Sequence, residues 1–228
     1  MSPAATRASH RVLIIDDHTL FAESLELALS VEGYDARRLV IPEEGGSMAT
    51  LRSMALRANP RTVTLDLDLG RFGDGTNLIA PLARAHINVV VLTASQETSR
   101  WGECMRLGAR KVLPKSTALQ LTLSVVRRLH MGLPVVTREE LEGLLDAWTQ
   151  QRQAHEDIRH RLDQLTPRER QVLGALIEGR AVRAISKESV VSEATVRTQV
   201  KSILNKLDVS SQLAAVGIAN QVGWRQGS

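Results

Sequence analysis

Arg11 to Ile15 (RVLII) is an unbroken apolar run that stops at an acidic pair, Asp16-Asp17. A run without polar alternation fits a strand covered on both faces, as in a parallel sheet. Between residues 20 and 29 the pattern changes to helical spacing. Leu20, Leu25, Leu27 and Leu29 are its apolar positions, with Glu23 and Glu26 outward. The same alternation of patterns then repeats. Arg37–Ile41 reads as a weaker strand, Met48–Ala58 as a helix and Thr62–Asp66 as a strand. Leu78–His86 is helical, Asn88–Leu92 a strong strand, Glu97–Leu107 a helix, Lys111–Leu113 a short strand and Leu119–His130 a helix. Five strands alternating with five helices predict an α/β fold, a doubly wound five-stranded parallel sheet. Right-handed crossovers place helices on both of its faces.

Gly132-Leu133-Pro134 interrupts the pattern and marks a boundary. The expected division is a first domain over 9–132, a linker helix over 133–164 and an all-α domain over 165–228. Thr137–Gln164 reads as one helix, with Thr137 and Glu140 placed for a capping box. Leu141, Leu145, Trp148, Arg152, His155, Ile158 and Leu162 recur at three- and four-residue steps. That face either packs on a neighbour or forms a parallel dimer seam, which Arg152 and His155 interrupt. Beyond it, Thr166, Pro167 and Glu169 open a short helix that Gly179 ends. Val182–Ser189 is a second helix. Ser192 caps a third, in which Val196, Val200, Ile203 and Leu207 share one face. Ser210 caps a last helix with Ala214, Ala215, Val216 and Ile218 on its apolar surface.

Composition narrows the possibilities. Hydrophobic residues make up 43% of the 228 residues, which argues against disorder, and aromatics only 3%, so the cores rest on aliphatic side chains. The single Cys104 excludes an internal disulfide framework and a cysteine-rich zinc site. No apolar run is long enough to cross a membrane, and MSPAATRASH contains no apolar signal core, so the expected location is the cytoplasm. The net charge of +4 is unevenly spread. Residues 166–228 carry nine Lys/Arg against five Asp/Glu, whereas 137–165 carry four against seven. A basic terminal domain fits nucleic acid.

In a doubly wound sheet, ligands gather beyond the carboxyl ends of the strands, where the strand order reverses. With order 2-1-3-4-5, Asp16 and Asp17 end the first strand beside Asp66, which ends the third. Such crowded carboxylates repel unless a cation joins them, and all-oxygen ligands suit Mg²⁺. Thr93 and Lys115 end the fourth and fifth strands at the same mouth. A carboxylate nucleophile, a divalent metal, a hydroxyl and a lysine suit an aspartyl-phosphate site, with Asp66 attacking. Each residue alone is ordinary: a strand-ending Asp caps turns, and a Lys is usually solvated. Their conjunction carries the reading. His18, just after the pair, is expected as a surface-loop residue outside the metal set. In the third helix of the terminal domain, Ala194, Arg197, Thr198, Lys201 and Asn205 lie opposite the apolar face. Arg197 and Lys201 can reach base edges or phosphates there, and Thr198 a thymine methyl.

With these motifs in place, residues 11–130 resemble the receiver domain of bacterial two-component response regulators. VLIIDDH, TLDLDLG, VVVLTAS and GARKVLPKS carry the likeness. Residues 165–222 resemble the LuxR-type helix-turn-helix domain, and together they resemble the NarL/FixJ class. The resemblance implies that Asp66 accepts phosphate from a histidine kinase, with Thr93 and Lys115 on the phosphoryl group. It implies that Asp17 binds Mg²⁺ directly, Asp16 through water, and Asp68 through its backbone carbonyl. It places Arg197, Thr198 and Lys201 at DNA bases, Thr195 in the contacting set, and Lys187 and Lys206 at phosphates. Gln199 stands where a histidine is common, and the last helix is expected to serve a homodimer. Three departures matter. Gly70 replaces a usual proline, RFGDG is one residue longer than common versions and loosens the loop, and Val112 replaces the aromatic of the last strand.

The expected function is a phosphorylation-controlled, DNA-binding transcription factor, not an enzyme. An alternative keeps the DNA binding and makes the receiver a phosphorylation-independent dimerisation or ligand module. A phosphatase reading of Asp66-Leu67-Asp68 as a nucleophile pair fits poorly, because that motif belongs near a first strand.

Overall fold

The computed structural model describes residues 10–41 and 45–225. The signal-free reading of residues 1–9 lies outside them. The chain forms two compact units that meet within one long helix, after Thr149.

The first unit alternates as the periodicity predicts: β1 (Arg11–Ile15), α1 (Thr19–Val31), β2 (Asp35–Arg38), α2 (Met48–Ala58), β3 (Thr62–Leu65), a 3-10 turn (Gly70–Phe72), α3 (Thr76–Arg84), β4 (Asn88–Thr93), α4 (Thr98–Arg106), β5 (Lys111–Pro114) and α5 (Leu119–His130). The strands are parallel in the order β2-β1-β3-β4-β5. Successive side chains leave a strand on opposite faces, and the apolar runs supply both sides of the sheet. Leu13, Ile15, Val89 and Val91 join Leu51, Leu78, Leu82 and Cys104 on one face. Val12, Ile14, Val90 and Leu92 join Leu25, Leu29, Leu123 and Val126 on the other. Burial pushes the Cys104 thiol up to about 12.

Two expectations need correcting here. The second strand starts earlier than Arg37 and ends before Leu39. Its polar residues are held by ion pairs instead of burial: Arg11 to Asp35 at 3.2 Å, Arg37 to Asp35 at 3.0 Å, and Arg38 to Glu23 and Glu26 at 3.0 and 2.7 Å. In α1 the buried face is Ala22, Leu25 and Leu29, whereas Leu20 and Leu27 are 79% and 68% exposed. Leu25 and Leu29 are one turn apart; Leu27 lies about 200° from Leu25 around the helix axis.

Helix α6 (Arg138–Asp163) runs from the first unit into the second. Thr137 accepts a hydrogen bond from the Glu140 amide at 3.1 Å, one arm of the expected capping box. The Glu140 carboxylate instead takes Lys111. The second unit adds α7 (Pro167–Ile177), α8 (Val182–Glu188), α9 (Glu193–Leu207) and α10 (Gln212–Gln221). Thr166 and Glu169 make the full capping box, and Ser192 caps α9. The cap of α10 is Ser211, not Ser210. Val196, Val200, Ile203 and Leu207 close the core against Leu162, Val172, Leu173 and Ile185. No helix among the described residues is long and apolar enough to cross a membrane.

Candidate functional site

The parallel register sets the site. Ile15 lies beside Leu65, Leu65 beside Val91, and Thr93 beside Pro114. The next residues, Asp16, Asp66 and Lys115, therefore emerge together at the carboxyl edge. Asp66 and Thr93 are each only 3% exposed. Lys115 Nζ donates to Asp66 Oδ2 at 2.6 Å and to Asp16 Oδ1 at 2.9 Å. Burial lifts the Asp66 carboxyl above its usual range, with Lys115 opposing and Asp16 adding to the rise. Burial alone would lower the Lys115 pKa, but its bonds to Asp66 and Asp16 outweigh that and hold it above the usual value. Lys115 thus stays an ammonium and offsets two crowded carboxylates.

Asp66 and Asp68, close in sequence, are separated by geometry. Asp66 is buried among Asp16 and Lys115, whereas Asp68 is exposed and its carboxylate accepts the Gly70 amide at 3.1 Å. The Asp68 amide donates to Asp66 Oδ1 at 3.3 Å. Gly75 backs the acceptor segment closely; a Cβ there would overlap the Asp66 carbonyl oxygen. Gly70 has φ +55, which a proline ring locked near −65° cannot adopt. The lengthened loop is closed rather than loose: Leu69 donates to the Gly73 carbonyl at 3.2 Å, Asp68 bridges Asp74, and Leu69 is buried.

Ligand atoms of Asp16, Asp17, His18 and Asp66 lie within 4.8 Å of one another. Three carboxylates at that spacing fit a hard divalent cation. His18 is mostly exposed, as a loop residue should be, yet its Nδ1 stands 2.9 Å from Asp17 Oδ1 and 3.7 Å from Asp66 Oδ2. It belongs with the cluster, and its place directly after the acidic pair was the available signal. Thr93 Oγ1 accepts the Ser95 amide at 3.1 Å. Sequence reasoning missed Ser95 and its partner Trp101, since neither belongs to a recognisable spacing.

In the second unit, Ala194, Arg197, Thr198, Lys201 and Asn205 are all exposed on one face of α9. Arg197 lies 3.7 Å from Glu193, and Thr198 Oγ1 donates to the Ala194 carbonyl at 3.0 Å. Thr195 shares a 2.9 Å hydroxyl contact with Ser192. Lys187 is exposed on α8. Lys206, expected at a phosphate, points inward instead. It donates to buried Glu169 at 2.7 Å and to the Gln164 carbonyl at 3.2 Å.

Residues 12–127 match the family model of the response regulator receiver domain, and residues 163–219 that of bacterial regulatory proteins of the luxR family. A nitrate/nitrite response regulator homologue of Haemophilus influenzae is 28% identical over 90% of this chain and 93% of its own. The transcriptional regulatory protein YdfI of Bacillus subtilis is 28% identical over 94% of this chain and 97% of its own. A solved RcsB response regulator of Salmonella typhimurium gives a TM-score of 0.47 at 22% identity, covering 93% of this chain and 98% of that one. The families matched are transcriptional regulators, not enzymes. The chain belongs to the response regulators, a receiver domain joined to a LuxR-type DNA-binding domain.

Proposed function

We propose that Asp66 is the phosphoacceptor of this regulator and that its phosphorylation by a sensor histidine kinase controls DNA binding through α9. The observation that carries this is the 2.6 Å bond from Lys115 to a buried carboxylate shared with Asp16. In the transfer, an Asp66 oxygen forms a bond to phosphorus and the phosphorus–nitrogen bond of the phosphohistidine breaks. The leaving imidazole nitrogen keeps the electron pair and takes a proton from solvent. Lys115 neutralises a phosphoryl oxygen, and the Thr93 hydroxyl proton is free to donate to another. Asp16, Asp17 and Asp66, with the Asp68 carbonyl, would hold Mg²⁺. When bound, the ion offsets phosphoryl charge.

Arg197, Thr198 and Lys201 would read base edges, with Thr195 and Lys187 beside the backbone. The inward bond of Lys206 favours a bracing role over a phosphate contact. Two-fold symmetric operators would match a homodimer. The functional division we propose is 9–132, 133–164 and 165–228. Work on the chromosome fits the cytoplasm.

Incubation with acetyl phosphate and Mg²⁺ should place an acid-labile phosphate on Asp66, absent from Asp66→Asn, and shift operator footprinting. Equal footprints with and without phosphate would favour the phosphorylation-independent module, for which the absence of an aromatic at Val112 is the motive.

A further inference from the structure

The acceptor site is joined to the linker helix by a continuous series of contacts within the first unit. Thr93 Oγ1 accepts the Ser95 amide at 3.1 Å, and the Ser95 carbonyl accepts the indole N–H of Trp101 at 2.9 Å. Trp101 sits on α4 with its ring packed against the sheet core. Its neighbour Gly102 lies directly under α6. A Cβ there would overlap the Leu144 carbonyl oxygen and crowd Trp148 Cβ at 2.8 Å. Around that close approach Leu144 is buried, the Arg106 guanidinium lies 4.5 Å from the Trp148 ring centroid, and Lys111 donates to both Glu140 oxygens at 2.6 and 2.8 Å. The first turns of α6 are thus seated on α4 and the start of β5. Meanwhile β5 offers only buried Val112 where an aromatic could have followed Thr93.

We propose that Trp101 and Gly102 tie the position of Thr93 to the seating of residues 138–149 on α4, so that loading Asp66 loosens that segment. The proposal rests on Asp66 being the acceptor. A phosphoryl oxygen accepts the Thr93 hydroxyl proton and draws Thr93 toward Asp66, away from the Ser95 amide that its Oγ1 accepts. Moving Thr93 breaks that bond, shifts the Ser95 carbonyl and draws on the Trp101 indole. Gly102 moves with its neighbour, and the contact with Leu144 tolerates no change in depth. Trp101 is a positioning residue here, since it touches neither the phosphoryl group nor the reacting oxygen. Coupling is reciprocal: a helix that resists loading when seated must favour loading when released.

The test uses the full chain, with beryllofluoride and Mg²⁺ as a reversible phosphoryl analogue. In the parent protein the analogue should raise amide hydrogen exchange over 138–149 by about fivefold. Trp101→Phe keeps the ring and loses the N–H. It should bind the analogue but show no response in that segment, a readout that a merely structural tryptophan would not move. Gly102→Ala should exchange fast over 138–149 without the analogue and bind it about threefold more tightly. Analogue binding by the parent with no change over 138–149 overturns the proposal, as does a Trp101→Phe response equal to the parent's. A parent protein that does not bind the analogue overturns the acceptor reading, and this proposal with it.

Discussion

Lys206 of α9 reaches back to the first turn of α7 and donates to Glu169 at 2.7 Å, while Ser202, one turn earlier, donates to the other carboxylate oxygen at 2.7 Å. The capping carboxylate of one helix therefore anchors the helix expected to read DNA. Burial alone would raise the Glu169 pKa, but Lys206, Ser202 and Thr166 together hold it down at about 2. Because the folded value lies below the ordinary 4.5, this stability is complete above about 4.5 and drains away as pH falls toward 2. Glu169→Gln should cost on the order of 2 kcal/mol. Amide-exchange free energies over α7 and α9 should show the loss, together with a flatter acid-denaturation limb.

Arg197→Ala and Lys201→Ala should each weaken operator binding by about 1–3 kcal/mol with little change in stability. Lys187→Ala should weaken all sequences alike and lower the salt slope of log K by about one. Lys206→Ala should behave differently, losing helix protection as well as affinity. Titrations at several salt concentrations separate these outcomes.

Val190, in the turn before α9, has φ +53 and is 91% exposed. A β-branched side chain is strained in the left-handed region and here has no packing to hold it there. Val190→Gly or Val190→Asn should stabilise the second unit by about 0.5–1 kcal/mol, measurable by amide exchange of α9.

Gly75 has backbone, not a flexible side chain, in the space a Cβ would need. Gly75→Ala should therefore push the segment bearing Asp66 out of place, costing about 1–3 kcal/mol. Phosphate incorporation from acetyl phosphate should fall by about tenfold or more.

Removing the ammonium in Lys115→Met leaves Asp16 and Asp66 facing each other unneutralised. The first unit should lose on the order of 2 kcal/mol, and Asp66 should fail to load. Adding Asp66→Asn to that variant should restore much of the stability without restoring phosphate. A thermodynamic cycle over the four proteins checks the coupling.

The sheet was legible because β1 and β4 are apolar on both faces, and β3 alternates Val63 and Leu65 with two buried threonines, Thr62 and Thr64. The acceptor cluster followed from strand order, which brings Asp16, Asp66 and Lys115 to one edge. Less local facts stayed hidden. β2 is an edge strand of charged residues whose partners, Glu23 and Glu26, lie on another element. Leu20 and Leu27 look like core residues until the angular position of Leu25 and Leu29 is known. Lys206 reads as a surface cation because Glu169 is far from it in sequence. The place of His18 beside the carboxylates and the link from Ser95 to Trp101 depend on loop geometry that no periodicity encodes.

Cys104 is sealed on the buried face of α4 with a thiol held protonated far above neutral pH. Maleimide and iodoacetamide reagents need a thiolate that they can reach. The native chain is therefore a silent background for site-directed labelling. A cysteine placed at exposed Gln150 could carry a spin or fluorescent probe without first deleting the one nature supplied.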